Sequence, residues 1–205
     1  MLPPSFLAAG EVSCFVLHAF KGSSMFEICP ERPGDAAQIE SLLDEVFGPG
    51  RFARTAYRLR EGQAPLDALS FVALEDGGLR GSIRFAHVMV GEEKVLFLGP
   101  LVVKSEDRGR GIGFALIDKG LEAASQMGAS AVLLVGDEPY YARSGFQQVP
   151  AGRIFPIGPI DPARLLAFEI EAGALAGLKG PLMPLPSARP RAEDPWPGEG
   201  PVELG

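Results

Sequence analysis

The sequence predicts an α/β fold built on a mixed sheet that is mostly antiparallel at its start. Three observations carry that expectation. Residues 70–103 hold three strand-like runs joined by tight turns at Asp76-Gly77 and Gly91-Glu92. Residues 101–127 pass from an apolar run through a glycine-rich turn into a helical pattern. Residues 131–135, Ala-Val-Leu-Leu-Val, are apolar throughout, the mark of a buried strand paired in parallel.

Taken in order, residues 1–24 show no clear period. The readable pattern starts at Met25, so the first 24 residues are either an extension packed on the domain or sequence upstream of the true start. Residues 26–29 read as a short strand ended by Pro30. Asp35 is a plausible N-cap. Ile39, Leu42, Leu43 and Val46 then follow at helical spacing until Gly48-Pro49-Gly50 stops the helix. Residues 52–60 predict a second short helix with a basic and aromatic surface, and residues 62–65 a loop. The three strands are expected over 70–75, 79–90 and 95–103. Gly99-Pro100 falls inside the third, where a proline cannot donate to the ladder, so a bulge or a strand edge is expected there. Residues 112–127 predict the central helix, with Asp118, Glu122 and Ser125 on one face and Gly128 at its end. One or two helical turns are expected over 139–144, and strands near 147–149 and 165–170. From 180 to 205 the composition shifts to seven prolines in 26 residues, which predicts an extended or disordered tail. The domain is therefore expected over 25–179, flanked by an N-terminal extension (1–24) and a Pro-rich tail (180–205).

Bulk properties exclude several classes. With 205 residues the chain can bury a sizeable core in one domain. The formal net charge of −7 argues against a general nucleic-acid binder, which usually carries a basic face. Cys14 and Cys29 offer no disulfide framework, and with His18 and His87 they complete no metal-ligand cluster. No apolar run approaches a membrane span. No basic region precedes the early apolar stretches, and Glu11 interrupts them, so no targeting segment is expected. A reducing cytoplasm is the simplest compartment.

The chemistry concentrates at residues 101–113, LVVKSEDRGRGIG. A helix N-terminus presents unpaired N–H groups and the positive end of its dipole. Gly109, Gly111 and Gly113 let an anion approach that backbone without meeting a Cβ. The P-loop pattern is absent. The dinucleotide pattern G-x-G-x-x-G fails after Gly113. What is present is Arg108-x-x-Gly111-x-Gly113, preceded by Leu101-x-Val103 and followed by Tyr141-Ala142-Arg143-Ser144-Gly145-Phe146. Together these resemble the R/Q-x-x-G-x-G/A pyrophosphate loop, its upstream strand and the Y-x-[KR]-x-G-F segment of the GNAT superfamily of acyl-CoA-dependent N-acetyltransferases. The resemblance covers roughly residues 26–179. Ser105 stands where many members have proline. The segments GPLVV, GDEPYYARSGF and FGPGRFARTAYRLRE are similar to a broad bacterial subgroup of such proteins.

The resemblance implies a strongly twisted sheet with helices on both faces and a splayed central strand pair, the splay and bulge falling in the strand that carries Gly99-Pro100. It implies acetyl transfer from acetyl-CoA, as cosubstrate, to an amine by direct attack. The backbone of Leu101, Val102 and Val103 would take the pantetheine arm, and an N–H there would polarise the thioester carbonyl. Arg108, Gly109, Arg110, Gly111, Ile112 and Gly113 would take the pyrophosphate, against the simpler reading of a glycine turn with solvated arginines. Tyr141 would place a phenol near the departing sulfur, against the simpler reading of an aromatic packing residue. A phenol pKa of about 10 lies above a thiol's of about 8.5, so hydrogen bonding carries much of that effect.

The general base is not visible. Some members use a glutamate on the strand before the loop, but residues 97–103 hold no carboxylate. Glu75, His87 and a water chain are the candidates, and the strand parity of His87 favours a packed structural role. Arg54, Tyr57 and Arg58 either border the acceptor mouth or form a solvated helix face. The missing base leaves a second class open: a CoA-binding sensor, or an interaction module that kept the loop and lost the chemistry. The acceptor amine is unnamed by the sequence, no nucleic-acid or membrane partner is expected, and a homodimer is compatible with it.

Overall fold

The computed structural model describes residues 15–18 and 25–186. Ten strands form one sheet: β1 (Phe15–His18), β2 (Met25–Pro30), β3 (Phe71–Glu75), β4 (Gly78–Val90), β5 (Glu93–Val103), β6 (Ala131–Val135), β7 (Gln147–Gln148), β8 (Ile154–Pro156), β9 (Leu165–Glu169) and β10 (Gly180–Pro184). The helices are α1 (Ala36–Phe47), α2 (Thr55–Arg58), α3 (Ile112–Gln126), α4 (Glu138–Tyr141) and α5 (Ala174–Gly177). The strand order is β1-β2-β3-β4-β5-β6-β9-β7. Neighbours along it are antiparallel except β5 and β6, which α3 connects in parallel. No helix among the described residues is long and apolar enough to cross a membrane.

Helices cover both faces of the sheet, as expected. The apolar stripe of α3, Ile112, Leu116, Ile117 and Leu121, packs on Phe26, Phe71, Ile83, Phe85 and Leu96. Ile39, Leu42 and Leu43 of α1 pack on Cys29, Val72, Leu79 and Val102 on the opposite face. The alternation of neighbours such as Phe71 and Val72 between these clusters is the period-2 consequence of the strand pleat. Close approach needs two glycines. A Cβ at Gly120 would lie 2.6 Å from the Phe85 ring, and one at Gly81 2.8 Å from the Val102 carbonyl oxygen.

The feature that positions the site is a bulge in β5. Ile83 pairs with Leu101, while Phe85 pairs with Leu98, so β5 spends one residue more than β4 across Gly99-Pro100. The extra residue inverts the side-chain parity. Leu96 and Leu98 face α3 before the bulge, whereas Leu101 and Val103 face it afterwards. Beyond the bulge β5 also leaves β6. The two strands pair only at Leu96–Val132 and Phe97–Leu133, so the backbone of residues 99–103 has no strand partner on the β6 side.

Several expectations shift. The helix expected over 52–60 is a 3₁₀ turn, Pro49–Ala53, followed by the single turn α2. The expected tail begins with a strand. β10 pairs antiparallel with the far half of β4 and parallel with β8, and Leu182 is fully buried. The prolines at 181 and 184 hide it in the sequence, where they argue against a strand with a partner on each side. The rest of the expected tail, from 187 on, lies outside the described residues. So does most of the N-terminal extension, but its residues 15–18 pair with β2 as β1. Cys29 is disulfide-bonded, which departs from the expectation that the cysteines contribute no disulfide.

Candidate active site

The turn between β5 and α3 is held from below by charge. Asp107, buried, and Glu75 on β3 both bind the guanidinium of Arg110, and Arg80 reaches Glu75 at 3.2 Å. Arg110 thus spends its side chain on anchoring the turn. The carboxyl of Glu75 is held below the usual carboxylate range, first by its hydrogen bond from Arg110, so it is a poor proton acceptor. Above this anchor Gly109 and Gly111 adopt left-handed backbone, φ +83° and +87°, with open space where a Cβ would point. Among the described residues the N–H groups of Gly109, Gly111, Ile112, Gly113 and Phe114 donate to no protein acceptor. They sit at the positive end of a helix of 15 residues.

These groups open on a cavity of about 560 Å³. β5 contributes Leu101, Val102 and Val103 to its wall; the turn contributes Arg108, Gly109 and Gly111; α3 contributes Ile112 and Gly113. Eight of the nine residues expected to meet the cosubstrate therefore line one space, and the ninth, Arg110, lies beneath it. Tyr140 closes one side. Its ring stacks on Phe114 at 4.8 Å, and its hydroxyl lies so near Gly113 that a Cβ there would be 2.1 Å from it. Gly113 thus needs to be glycine for a different reason from Gly111.

Tyr141 sits behind Tyr140. The two rings meet edge-on at 5.0 Å. Tyr141 packs on Gly136 and Phe146, lines none of the three principal cavities, and burial pushes its phenol above the ordinary range. The Tyr140 phenol is also raised by burial, with Arg143 opposing.

Where β5 and β6 part, a second cavity of about 710 Å³ opens, bounded by Phe97–Leu101, Val135 and the α2 region. Asp137 borders both cavities and pairs with Arg164 at 3.2 Å. Arg54 and Tyr57 line the second cavity; Tyr57 and Arg58 also line a third, of about 360 Å³, which shares Arg60, Gly99 and Pro100 with the second. This segment lines the cavities, with Arg54 and Arg58 exposed to solvent and Tyr57 half-buried. His87 lines none of the three. Its Nδ1 is buried without a hydrogen bond among the described residues, and burial, with Lys94 adding, lowers its pKa. The sequence does not single out Asp137, Tyr140 or Arg60: the helical turns expected over 139–144 say nothing of which cavities Asp137 and Tyr140 line.

The fold and this pair of cavities define a class: an α/β protein whose helix start opens unpaired backbone N–H groups on a cavity beside a splayed strand pair. Residues 36–146 match the acetyltransferase (GNAT) family, and the chain belongs to that family. Over 120 residues it is 34% identical to the uncharacterized N-acetyltransferase YhbS of Escherichia coli K12, covering 57% of this chain and 71% of that one. It is 31% identical over 126 residues to the uncharacterized N-acetyltransferase YjhQ of the same organism, covering 60% and 70%. Among solved structures, YhbS in complex with CoA superimposes with a TM-score of 0.70 at 27% identity, covering 82% of this chain and 94% of that one. A GNAT family acetyltransferase from Brucella melitensis in complex with acetyl-CoA gives 0.51 at 32% identity, covering 71% and 96%.

Proposed function

We propose that the chain moves an acetyl group from acetyl-CoA to an amine by direct attack. One observation carries the reading. The unpaired N–H groups of the glycine turn and the unpaired run of β5 open on the same cavity, and similar proteins are described with CoA or acetyl-CoA bound. A pyrophosphate would meet several backbone donors and the helix dipole at once, with Arg108 adding charge. The pantetheine arm would take the place of a strand neighbour along Leu101, Val102 and Val103. The cosubstrate supplies an activated thioester. A backbone N–H of this run stabilises the charge that develops on the carbonyl oxygen. As the amine nitrogen bonds to the carbonyl carbon, the C–S bond breaks and a proton passes to the departing sulfur; the family resemblance assigns that donation to Tyr141, one ring behind the cavity-lining Tyr140. Burial keeps the Tyr141 phenol protonated. Asp137, at the junction of the cavities, passes the amine's proton to water.

Calorimetry of acetyl-CoA binding tests the frame. Wild type should bind, and Gly111→Glu should bind at least about tenfold more weakly, since the new side chain brings bulk and negative charge to the pyrophosphate site. A folded wild type that takes no acetyl-CoA would sink the reading. Thiol release then separates the two phenols. Tyr141→Phe should lower kcat by roughly tenfold to a hundredfold, while Tyr140→Phe should act on the KM for acetyl-CoA. The reverse pattern would move the proton-donor role to Tyr140.

A further inference from the structure

The third cavity contains a charge with no counterpart. Arg51, Arg80, Arg84 and Arg110 all turn inward and all meet carboxylates. Arg60 meets none among the described residues. Its Nε donates to the Ala56 carbonyl at 2.9 Å and its guanidinium lies 4.6 Å from the Tyr57 ring centroid. Its two Nη groups donate to no carboxylate or carbonyl among the described residues. Burial pulls its pKa down to about 10, with Arg84 adding and Tyr57 and Glu40 opposing, so the half-buried charge is held at a cost. Arg60 lies in the wall shared by the second and third cavities, with its Cζ 3.9 Å from where a Cβ of Gly99 would stand. That places a guanidinium fork beside the bulge where β5 and β6 part.

Resting on the transferase reading above, we infer that the acceptor is an amine that also carries a carboxylate, and that Arg60 binds that carboxylate while the amino group faces the gap between β5 and β6. The chemistry fits one negative charge better than two. Of the three arginines on the wall, Arg84 is paired with carboxylates, Arg58 is exposed, and Arg60 is the half-buried one that meets no carboxylate among the described residues; Glu40 and Glu61 on the same wall oppose a dianion such as a phosphate monoester. A planar carboxylate takes two parallel N–H donors from a guanidinium. Leu43, Phe52, Phe85 and Pro100 give that wall an apolar stretch between its charged groups, which suits an acceptor with an apolar side chain. An apolar α-amino acid satisfies all three demands, and its short span between nitrogen and carboxylate matches the closeness of Arg60 to Gly99.

The test uses the full chain, acetyl-CoA, and L-leucine, L-methionine and L-phenylalanine, each against its carboxamide. Calorimetry measures acetyl-CoA binding and amino-acid binding separately; thiol release measures transfer. The expected result is a kcat/KM at least about tenfold higher for a free carboxylate than for its amide, with the difference in KM. In Arg60→Gln that preference falls to within about twofold, and Arg60→Lys restores part of it. Thermal melts establish that both variants are folded. Equal use of acids and amides, equal loss of both in Arg60→Gln, or a wild type that binds acetyl-CoA but neither binds nor acetylates any of the three acids overturns the inference. A protein that binds these acids through Arg60 yet takes no acetyl-CoA would instead overturn the transferase reading and leave the carboxylate site standing.

Discussion

At the scale of single residues, what the sequence makes legible is backbone demand. Gly109 and Gly111 sit in left-handed conformations that cost a residue with a Cβ about 1–2 kcal/mol, and such a demand leaves a glycine in the sequence whatever surrounds it. Arg60 carries the opposite kind of information. Nothing in Arg58-Leu59-Arg60 separates the exposed Arg58 from the inward Arg60, because a missing partner is a property of everything packed around the group. The energetics give a direct check. A base whose folded-state pKa lies below its unfolded value binds its proton more weakly when folded. The charged form is then destabilising at every pH below about 10. Arg60→Met should therefore stabilise the protein at pH 7 by about 1 kcal/mol, a rise of roughly 2–4 °C in Tm, despite losing the contact with Tyr57. A fall in Tm would mean that the stacking outweighs the buried charge.

At the scale of elements, periodicity located both long helices and seven of the ten described strands, since each buries one face, and missed β1, β8 and β10. Two further things escaped it. Proline at position 100 predicted a bulge but not that the parity of β5 would invert, which depends on β4 keeping its register alongside. The ion pairs that hold the turn between β5 and α3 were also hidden, because Glu75 lies 35 residues before Arg110 and reaches it only through the β3–β4 hairpin. Their pH dependence follows from the depressed pKa of Glu75. The native carboxylate binds its proton more weakly than in the unfolded chain. The stability it supplies is present above the ordinary glutamate pKa, about 4.3, and is lost as pH falls through the lower folded value. A Tm profile from pH 7 to pH 3 should fall in acid, and Glu75→Gln should flatten the part due to this group. An unchanged slope in the variant would assign the acid loss to other carboxylates.

At the scale of the whole molecule, the long-range pairings decide where the domain ends. β10 returns to the far half of β4 and buries Leu182 completely among Val88, Val90 and Leu133. Leu182→Ala should cost about 2–4 kcal/mol, measured by urea or thermal unfolding, if the segment belongs to the folded domain. A loss under about 0.5 kcal/mol would fit a surface strap. The sequence by itself determined the α/β class, the glycine turn at a helix start and the run of β5 before it, because these rest on local periodicity and on backbone angles that only certain residues adopt. The tertiary structure alone decided which charges find partners, which tyrosine lines the cavity, and that two strands part beside an arginine that meets no carboxylate among the described residues. Those outcomes depend on contacts between residues far apart in the chain, and no local pattern records them.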